Sequence, residues 1–305
     1  MKGKKQGISG KGGWQMKRAV VLVAFAVLAA SVLACCAALT GRPSVVAVSY
    51  GRGIILTSTD GKTWMARHSG TVVPIAALAY GRGTFVAVGA RGTVVTGSRD
   101  GVRWSSRTSG VTSDLWAIQF ASGIFVAVGS AGTVITSSDG YTWTKGATLT
   151  PYDLRNIAYG RDNFVTIGAM GAIFNSRDGV NWTRGASEHT EHLYGLFYAK
   201  ETFVAVGENG SIMTSPDGGT WTARPSGTKE FLSAVTYGNE RFVVVGRYGT
   251  ILTSPDAMSW TAVKSGSESW LAAAIYAYAG KKFIVVGSDG TVLTSPDGTS
   301  WSPKL

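Results

Sequence analysis

Residues 290–301 read GTVLTSPDGTSW, and close relatives of this stretch recur six times earlier in the chain. Each copy ends at a tryptophan. The spacings between these tryptophans are 40, 39, 39, 39, 39 and 41 residues, through Trp64, Trp104, Trp143, Trp182, Trp221, Trp260 and Trp301. A fixed period near 40 residues indicates a repeat architecture. The chain therefore contains seven copies of one structural unit.

Each unit has four short apolar runs separated by turn residues. In the fifth unit these runs are LYGLFYA, TFVAVG, GSIMTS and TWTAR, within residues 193–224. Runs of β-forming residues broken by Gly, Asp and Ser are typical of antiparallel strands joined by tight turns. Four strands in each of seven units predict an all-β fold, a seven-bladed β-propeller of four-stranded antiparallel blades. A β-solenoid is the alternative, although its repeats are usually shorter.

The first unit is shorter than the others. Tyr50 and Trp64 are 14 residues apart, whereas the matching pair Tyr80 and Trp104 is 24 apart, so about ten residues are missing. Either SVVAVSYGRG (44–53) corresponds to an innermost strand, or VVAVS corresponds to the second strand FVAVG and the innermost strand is lost. Both interpretations predict a three-stranded first blade. The ring then closes by packing the first blade on the seventh, without a strand shared between the termini.

The repeated turn joins the third strand to the fourth and carries an aspartate at one position. These residues are Asp60, Asp100, Asp139, Asp178, Asp217, Asp256 and Asp297. An aspartate carboxylate can accept N–H bonds from the residues just beyond it. The glycine that follows can take a positive φ, and only the sixth unit differs, with Ala257. We interpret the aspartates as structural, with each tryptophan packing between neighbouring blades.

These turns carry a family resemblance. SSDGYTW (137–143), SRDGVNW (176–182), SPDGGTW (215–221) and SPDGTSW (295–301) resemble Asp-box (BNR-type) repeats, S-x-D-x-G-x-T-W, with a Ser-to-Trp interval one residue shorter. The unit FVAVG, followed by GTILTSPD and a tryptophan, is similar to the seven-bladed propellers of the photosystem II assembly and stability factor-like group. The resemblance covers about residues 44–305 and implies an envelope or thylakoid-lumen scaffold. Asp boxes occur in sialidases, xyloglucan hydrolases and binding proteins alike, so they specify the fold rather than the function.

The chain divides into a leader, residues 1–40, and the propeller, residues 41–305. Lys17 and Arg18 precede an uncharged apolar run over residues 19–40, which is typical of an export signal. Residues 32–35, VLAC, resemble a bacterial lipobox, which makes Cys35 the predicted lipidation site. Cleavage near Ala38 and an uncleaved membrane anchor are the alternatives. All three place the propeller outside the cytoplasm, as a membrane-anchored lipoprotein or as a periplasmic or extracellular protein.

The formal charge of +11 is concentrated in the leader. The first 35 residues carry six basic residues and no acid, which leaves 23 basic and 18 acidic residues in the rest. The propeller has no dense basic run with interleaved aromatic residues, so we do not expect nucleic acid as a partner. Cys35 and Cys36 are the only cysteines, which excludes disulfides and cysteine-ligated metals from the propeller.

The variable loops predict where a partner binds. In a propeller, the loops from the fourth strand to the next first strand, and from the second strand to the third, open on one face, here called the top face. The aspartate turns lie on the opposite face. Variation on a regular scaffold is where function usually lies. The candidate binding residues in the top loops are Asp114, Trp116, Tyr152, Asp153, Arg155, Glu191, His192, Tyr194, Phe231 and Trp270.

Two functional hypotheses follow. Aromatic residues and arginine suit a protein partner, which favours a non-catalytic binding or assembly scaffold for an envelope protein or complex. Aromatic residues with carboxylates also suit sugars. The alternative is therefore a carbohydrate-binding or glycoside-hydrolase (sialidase-like) propeller, with Trp116, Tyr194 and Trp270 exposed around one pocket and Asp114 and Asp153 at its floor. We expect no cofactor and no metal, because EHTEH (188–192) lacks the spacing and order of zinc motifs.

Overall fold

The computed structural model describes residues 45–49, 53–58, 63–277 and 280–303. Within these ranges, 27 strands form seven antiparallel sheets, which are the blades of a β-propeller. The predicted fold class is confirmed. The leader with Cys35, and the aspartate-turn residue Asp60, lie outside the described residues.

The blades follow one another along the chain. Blade one contains β1 (Val45–Ser49), β2 (Ile54–Ser58) and β3 (Met65–Arg67). Blade two contains β4 (Ile75–Gly81), β5 (Thr84–Gly89), β6 (Val94–Gly97) and β7 (Trp104–Arg107). Blade three contains β8 (Leu115–Ala121), β9 (Ile124–Gly129), β10 (Val134–Ser137) and β11 (Thr144–Lys145). Blade four contains β12 (Leu154–Gly160), β13 (Asn163–Gly168), β14 (Ile173–Ser176) and β15 (Thr183–Arg184).

The last three blades repeat this order. Blade five contains β16 (Leu193–Ala199), β17 (Thr202–Gly207), β18 (Ile212–Ser215) and β19 (Thr222–Arg224). Blade six contains β20 (Leu232–Gly238), β21 (Arg241–Gly246), β22 (Ile251–Ser254) and β23 (Thr261–Val263). Blade seven contains β24 (Leu271–Ala277), β25 (Lys282–Gly287), β26 (Val292–Ser295) and β27 (Ser302–Pro303). Short 3₁₀ turns follow the second strands, at Ala90–Gly92, Ser130–Gly132, Ala169–Gly171, Glu208–Gly210 and Ser288–Gly290.

The second strand of each blade forms the centre of the core. In β5 all six residues of TFVAVG are buried, as expected for a strand covered on both faces. Its phenylalanine is at most 1% exposed in every four-stranded blade, as Phe85, Phe125, Phe164, Phe203, Phe242 and Phe283. The fourth strands are short and mostly exposed, which limits edge-to-edge pairing.

Blades two, three, five, six and seven each contain a row of three aromatic rings. In blade five, the ring centroids of Tyr198 and Phe203 are 4.5 Å apart, and those of Phe203 and Trp221 are 6.4 Å apart. Trp143 of blade three packs against a cluster that includes Val86 of blade two and Phe125 of its own blade. The tryptophans of the turns therefore fill space between neighbouring blades, although most of them are only partly buried.

The register identifies the strands of blade one. Val45, Val46, Ala47 and Val48 pair with Ser58, Thr57, Leu56 and Ile55. The same arrangement joins the second and third strands of blade two, where Phe85, Val86, Ala87 and Val88 pair with Gly97, Thr96, Val95 and Val94. VVAVS therefore corresponds to FVAVG. Within the described residues, blade one has the second, third and fourth strands and no innermost strand, and no sheet joins it to blade seven.

The aspartate turns of blades three to seven share one hydrogen-bond pattern, whereas Asp100 of blade two accepts a single backbone N–H group, that of Val102. The Asp139 carboxylate accepts the backbone N–H groups of Tyr141 at 2.7 Å and Thr142 at 2.8 Å, and the Ser137 hydroxyl at 2.9 Å. The Ser137 hydroxyl in turn accepts the N–H of Gly140 at 2.8 Å. Equivalent bonds to the two following N–H groups occur at Asp178, Asp217, Asp256 and Asp297. Ala257 has a φ of 63°, the left-handed conformation that glycine occupies in the other turns.

These turns also join the blades. A Cβ atom placed on Gly140 of blade three would lie 2.9 Å from Cγ2 of Val86 in blade two. One placed on Gly218 of blade five would lie 2.3 Å from Cγ2 of Val165 in blade four. At these two positions glycine allows the close approach as well as the positive φ. The turns of blades three, four, five and seven thus pack on the second strand of the preceding blade.

Candidate binding face

The innermost strands begin at the top face with a β-bulge. The pairing register shifts between the first and third residues of all six of these strands. Bulges bend a strand and re-aim a side chain, and they are common beside functional sites. The bulge residues are Ala76, Trp116, Arg155, Tyr194, Ser233 and Ala272. The side chain at the bulge position therefore differs in chemical character between almost all of these blades.

The two candidate aspartates hold backbone groups of the preceding blade. Asp114 Oδ1 accepts the N–H of Arg91 at 2.7 Å, and Asp153 Oδ1 accepts the N–H of Ala131 at 3.1 Å. Arg91 and Ala131 both have positive φ, in the turns after the second strands of blades two and three. The carboxylates therefore fix the blade-to-blade geometry at the top face. Neither has the free, convergent placement that a glycosidase pair requires.

Arg155 and Trp116 contact each other across the boundary between blades three and four. The guanidinium carbon of Arg155 lies 4.8 Å from the centroid of the Trp116 ring. Nη2 of Arg155 forms an ion pair with Asp153 Oδ2 at 2.7 Å, and Nη1 is buried without a hydrogen-bond partner. The Trp116 indole N–H donates to Ser130 Oγ at 2.9 Å. Two bulge residues of adjacent blades are thus held face to face.

A row of aromatic rings continues from this pair through blades five, six and seven. The centroid distances are 6.4 Å from His192 to Tyr194, 4.8 Å from Tyr194 to Phe231 and 6.3 Å from Phe231 to Trp270. The guanidinium carbon of Arg247 lies 5.0 Å from the Phe231 centroid and 5.9 Å from the Trp270 centroid, within the range of a cation–π interaction. We call Trp116, Arg155, His192, Tyr194, Phe231, Arg247 and Trp270 the aromatic–arginine row.

Hydrogen bonds orient the polar ends of these rings. The Trp270 indole N–H donates to Ser233 Oγ at 2.6 Å, and Tyr194 Oη lies 3.2 Å from Glu208 Oε1. Burial, followed by the nearby Glu208 carboxylate, raises the pKa of the Tyr194 phenol above its ordinary value. The positive charges of Arg155 and Arg247 act on this pKa in the opposite direction, so both guanidinium groups lie within electrostatic reach of Tyr194. The phenol therefore stays protonated at neutral pH and donates to Glu208.

The structure brings some of the candidate residues together and leaves others apart. Trp116 is 6% exposed and Tyr194 is 8% exposed, so neither presents the open ring face that the carbohydrate hypothesis expects. Tyr152 is 46% exposed. Glu191 contributes its backbone carbonyl, which accepts the N–H of Gly171 at 3.0 Å. Three residues of the row lie at β-bulges, three lie directly before an innermost strand and one follows a second strand: Trp116, Arg155 and Tyr194; His192, Phe231 and Trp270; and Arg247.

Sequence reasoning missed Arg247 and Glu208. Both are the first residue after the glycine that ends a second strand, in blades six and five. The sequence does contain a signal for them. The same position holds Ala90, Ser130, Ala169 and Ser288 in the other four-stranded blades, so a charged residue there departs from the repeat.

The described part of the chain shows no other site of stronger chemistry. It contains no group of three or more His, Cys, Asp or Glu side chains that could hold a metal ion. Two grooves of about 530 and 540 Å³ lie between neighbouring blades, and neither is lined by a residue of the row. The second groove includes His189, whose pKa burial lowers. No described helix is long and apolar enough to cross a membrane.

Comparisons with known proteins agree with this architecture. A family model described as the DUF6242 beta propeller domain matches residues 112–231. Among solved structures, YCF48 bound to D1 peptide has a TM-score of 0.61 and 23% sequence identity, with 76% of this chain and 81% of that chain covered. YCF48 from Cyanidioschyzon merolae has a TM-score of 0.59 and 17% identity, covering 75% and 84%. The computationally designed Ika8 protein has a TM-score of 0.59 and 19% identity, covering 83% and 84%.

A search of the curated proteins finds no match to this chain. The protein is therefore placed by its architecture, as a seven-bladed β-propeller that resembles YCF48.

Proposed function

We propose that this protein is an exported, lipid-anchored β-propeller that binds a membrane or envelope protein through its top face and acts as an assembly scaffold. The observation that carries the proposal is the aromatic–arginine row. It places two guanidinium groups and five aromatic rings along one face of a rigid fold. The remaining parts of the proposal rest on the leader sequence and on the turns.

The chemistry of the row favours a protein partner. Tyr, Trp and Arg are the residues most enriched in interface hot spots. Arg247 is exposed, and among the described residues no carboxylate lies within ion-pair distance of it. Its guanidinium stacks on Phe231 and Trp270 and keeps its hydrogen-bond donors free for a partner. Because hydrogen bonds already fix Trp270, binding would cost little side-chain entropy.

The similarity to YCF48 supports the same conclusion. One of the similar structures is YCF48 bound to D1 peptide, so a propeller of this architecture can receive a peptide. We extend this to a partner with a peptide segment exposed at the membrane surface. The serine–aspartate turns are, in this proposal, shortened Asp boxes that serve the scaffold and have no catalytic role.

The leader supports export and anchoring. A basic segment, an apolar run and Cys35 in a lipobox-like context are the features of a bacterial lipoprotein signal. In this proposal Cys35 is lipidated and holds the propeller at a membrane. A palmitate-labelling experiment on the full chain and on Cys35→Ser tests this part, and equal labelling of both chains contradicts it.

The binding proposal is tested by affinity capture from a native envelope extract with the full chain as bait. Arg247→Ala is the test variant, because its exposed side chain can be removed without opening the core. Arg99→Ala is the matched control, an exposed arginine in an aspartate turn on the opposite face. For a hot-spot arginine we expect binding at least about tenfold weaker for Arg247→Ala, and unchanged binding for Arg99→Ala.

Two results oppose the proposal. If both variants retain the same protein equally well, the top face is not the interface. If only polysaccharide is retained, the carbohydrate hypothesis replaces the scaffold hypothesis.

A further inference from the structure

The aspartate turns lie on the same face of the propeller as the hairpins between the first and second strands. In blade two, Tyr80 pairs with Phe85, Phe85 with Gly97 and Gly97 with Trp104, so both connections leave the sheet at the same level. We call this the turn face. It is opposite the top face and the aromatic–arginine row.

The turn face of blades two to four carries exposed apolar side chains. The second residue after the turn aspartate is Val102, Tyr141 or Val180 in these blades, and these residues are 39%, 48% and 51% exposed. The equivalent residue is Gly219 in blade five and Thr299 in blade seven. The repeat does not require an apolar side chain at this position, so its occurrence in three consecutive blades is a property of this part of the surface.

Exposed arginines surround these apolar side chains. They lie in the hairpins and aspartate turns of blades two and four: Arg82, Arg99, Arg103, Arg161 and Arg177. The residue before the turn aspartate is arginine or serine in blades two to four, whereas it is proline in blades five, six and seven. Blade six therefore exposes Met258 without an arginine in its turn. We call the five arginines together with Val102, Tyr141 and Val180 the turn-face patch.

The acidic groups near the patch are already engaged, whereas the arginines are available. Each of the four carboxylates on this part of the face accepts a hydrogen bond from its own blade: Asp100, Asp139, Asp162 and Asp178. Among the described residues the only ion pair joins Arg155 to Asp153 on the top face, so none of the five arginines of the patch is paired with a carboxylate there. Five arginines against four carboxylates give a formal charge of only +1, so the apolar side chains must contribute to any attachment.

This combination fits the surface of a membrane better than a purely acidic partner. Apolar and aromatic side chains enter the boundary between headgroups and acyl chains, and basic residues beside them attract anionic lipids. Arginine suits the second role, because its planar guanidinium binds a phosphate group through two parallel hydrogen bonds. The three apolar residues of the patch lie between arginines, as this geometry requires.

The chain enters the fold at the turn face. Val45 pairs with Ser58, the equivalent of Phe85 with Gly97 in blade two, so β1 begins at this face. The apolar run of the leader, residues 19–40, ends five positions before Val45, and Cys35 is ten positions before it. A fully extended segment of ten residues spans only about 35 Å. An anchor in the leader is therefore joined to the propeller at the turn face by a short connection.

We propose that the turn-face patch lies on the headgroups of a membrane that contains anionic lipids. The inference rests on the anchoring part of the proposed function and adds the orientation of the propeller. The apolar side chains of the patch enter the interface, and its arginines bind the lipid phosphate groups. This orientation turns the aromatic–arginine row away from the bilayer, toward the segment of a partner that lies outside the membrane.

Site-specific photocross-linking tests this orientation. The full chain is reconstituted into vesicles of phosphatidylcholine and phosphatidylglycerol, with the photoreactive residue p-benzoylphenylalanine in place of either Val102 or Val72. Val72 is the matched control, an exposed valine in the top loop between β3 and β4. We expect cross-links to lipid, detected by mass spectrometry, at position 102 and not at position 72.

Charge variants test the role of the arginines. Arg103→Gln combined with Arg177→Gln should lower the cross-linking yield at position 102 at least about fivefold, the factor that a single basic residue near an anionic surface supplies. Lys200→Gln combined with Lys281→Gln should leave this yield unchanged, because both lysines are exposed on the same face but lie outside the patch. An equal loss in both pairs, or no loss in either, contradicts the specific role of the patch.

Flotation of the same vesicles separates this inference from the proposed function. If the chain floats but position 102 gives no cross-link, or positions 72 and 102 react equally, the orientation is wrong while the anchor stands. If the yield at position 102 is the same in vesicles of phosphatidylcholine alone, anionic headgroups are not the ligand. A chain that does not float overturns both this inference and the anchoring proposal.

Discussion

Gly160 provides a sharp test of how neighbouring blades pack. This glycine ends the innermost strand of blade four, and its φ is not in the left-handed region, so alanine meets no backbone strain there. A Cβ atom at this position would lie 2.1, 2.2 and 2.4 Å from Cγ, Cδ1 and Cδ2 of Tyr198 in blade five. Ordinary contacts between such atoms begin at about 3.4 Å, so the Tyr198 ring must move by more than about 1 Å.

The ring has little room to move, because its centroid lies 4.5 Å from that of Phe203, which is fully buried. Overpacking of this kind costs about 1–3 kcal/mol, and we expect Gly160→Ala to lie at the upper limit, near 3 kcal/mol. At about 2–4 °C per kcal/mol for a domain of this size, the melting temperature should fall by roughly 6–12 °C. Denaturant titration and scanning calorimetry measure the two quantities.

A double-mutant cycle separates the clash from other causes. If the Tyr198 ring is the obstacle, the loss in Gly160→Ala/Tyr198→Ala should be smaller than the sum of the two single losses by at least about 1 kcal/mol. Ala121→Gly is the matched control, because blade three carries alanine at this position, and we expect it to cost under about 1 kcal/mol. A loss below about 1 kcal/mol for Gly160→Ala, or strict additivity in the cycle, refutes the reasoning.

The aspartate turns and the positive-φ residues give two further predictions. The backbone N–H groups of Thr142 and Tyr141 hold the pKa of Asp139 below its ordinary value of 3.8; its stabilising contribution is therefore present above about pH 4 and is lost as the pH falls through the folded-state pKa. Asp139→Ala should lower the free energy of unfolding by about 1 kcal/mol at pH 7. Urea titrations should show that this difference from the wild type becomes smaller as the pH is lowered toward 2. A difference that does not change with pH contradicts the argument. Tyr248 has a φ of 52° and is 72% exposed. Asparagine tolerates this left-handed conformation, and Asn209 adopts it at the same position of blade five. Tyr248→Asn should therefore raise the free energy of unfolding by up to about 1 kcal/mol in the same assay. A loss of stability in Tyr248→Asn would show that the ring contributes more than the strain costs.

Repeat spacing made most of the fold predictable. The tryptophan period, the serine–aspartate turns and the runs such as TFVAVG define strands and turns locally, and each repeat reinforces the others. The three strands that blade one has within the described residues agree with the sequence prediction. Its missing strand could not be chosen, because SVVAVS resembles both an innermost and a second strand. Only the register, with Val45 opposite Ser58, decides between them.

The candidate site was less accessible to sequence reasoning. From the sequence, Trp116 and Tyr194 were expected to be exposed loop residues. Both lie at a β-bulge, contact the neighbouring blades and are buried. Asp114 and Asp153 read as a pair of acids, yet each is engaged by a backbone N–H of the preceding blade. Contacts between blades join residues more than 20 positions apart, and the repeat pattern contains no information about them.

The packing of each aspartate turn on the preceding blade has a consequence for biosynthesis. Gly140 meets Val86, Gly179 meets Val126, and Gly218 meets Val165. In each of these contacts the valine precedes the glycine in the sequence, so the surface of the earlier blade is synthesised before the turn that packs on it. A blade emerging from a ribosome therefore finds its partner already formed, one repeat upstream. Each of these contacts joins a blade only to the blade before it, so growth can proceed blade by blade from the N-terminal side, as in a one-dimensional array.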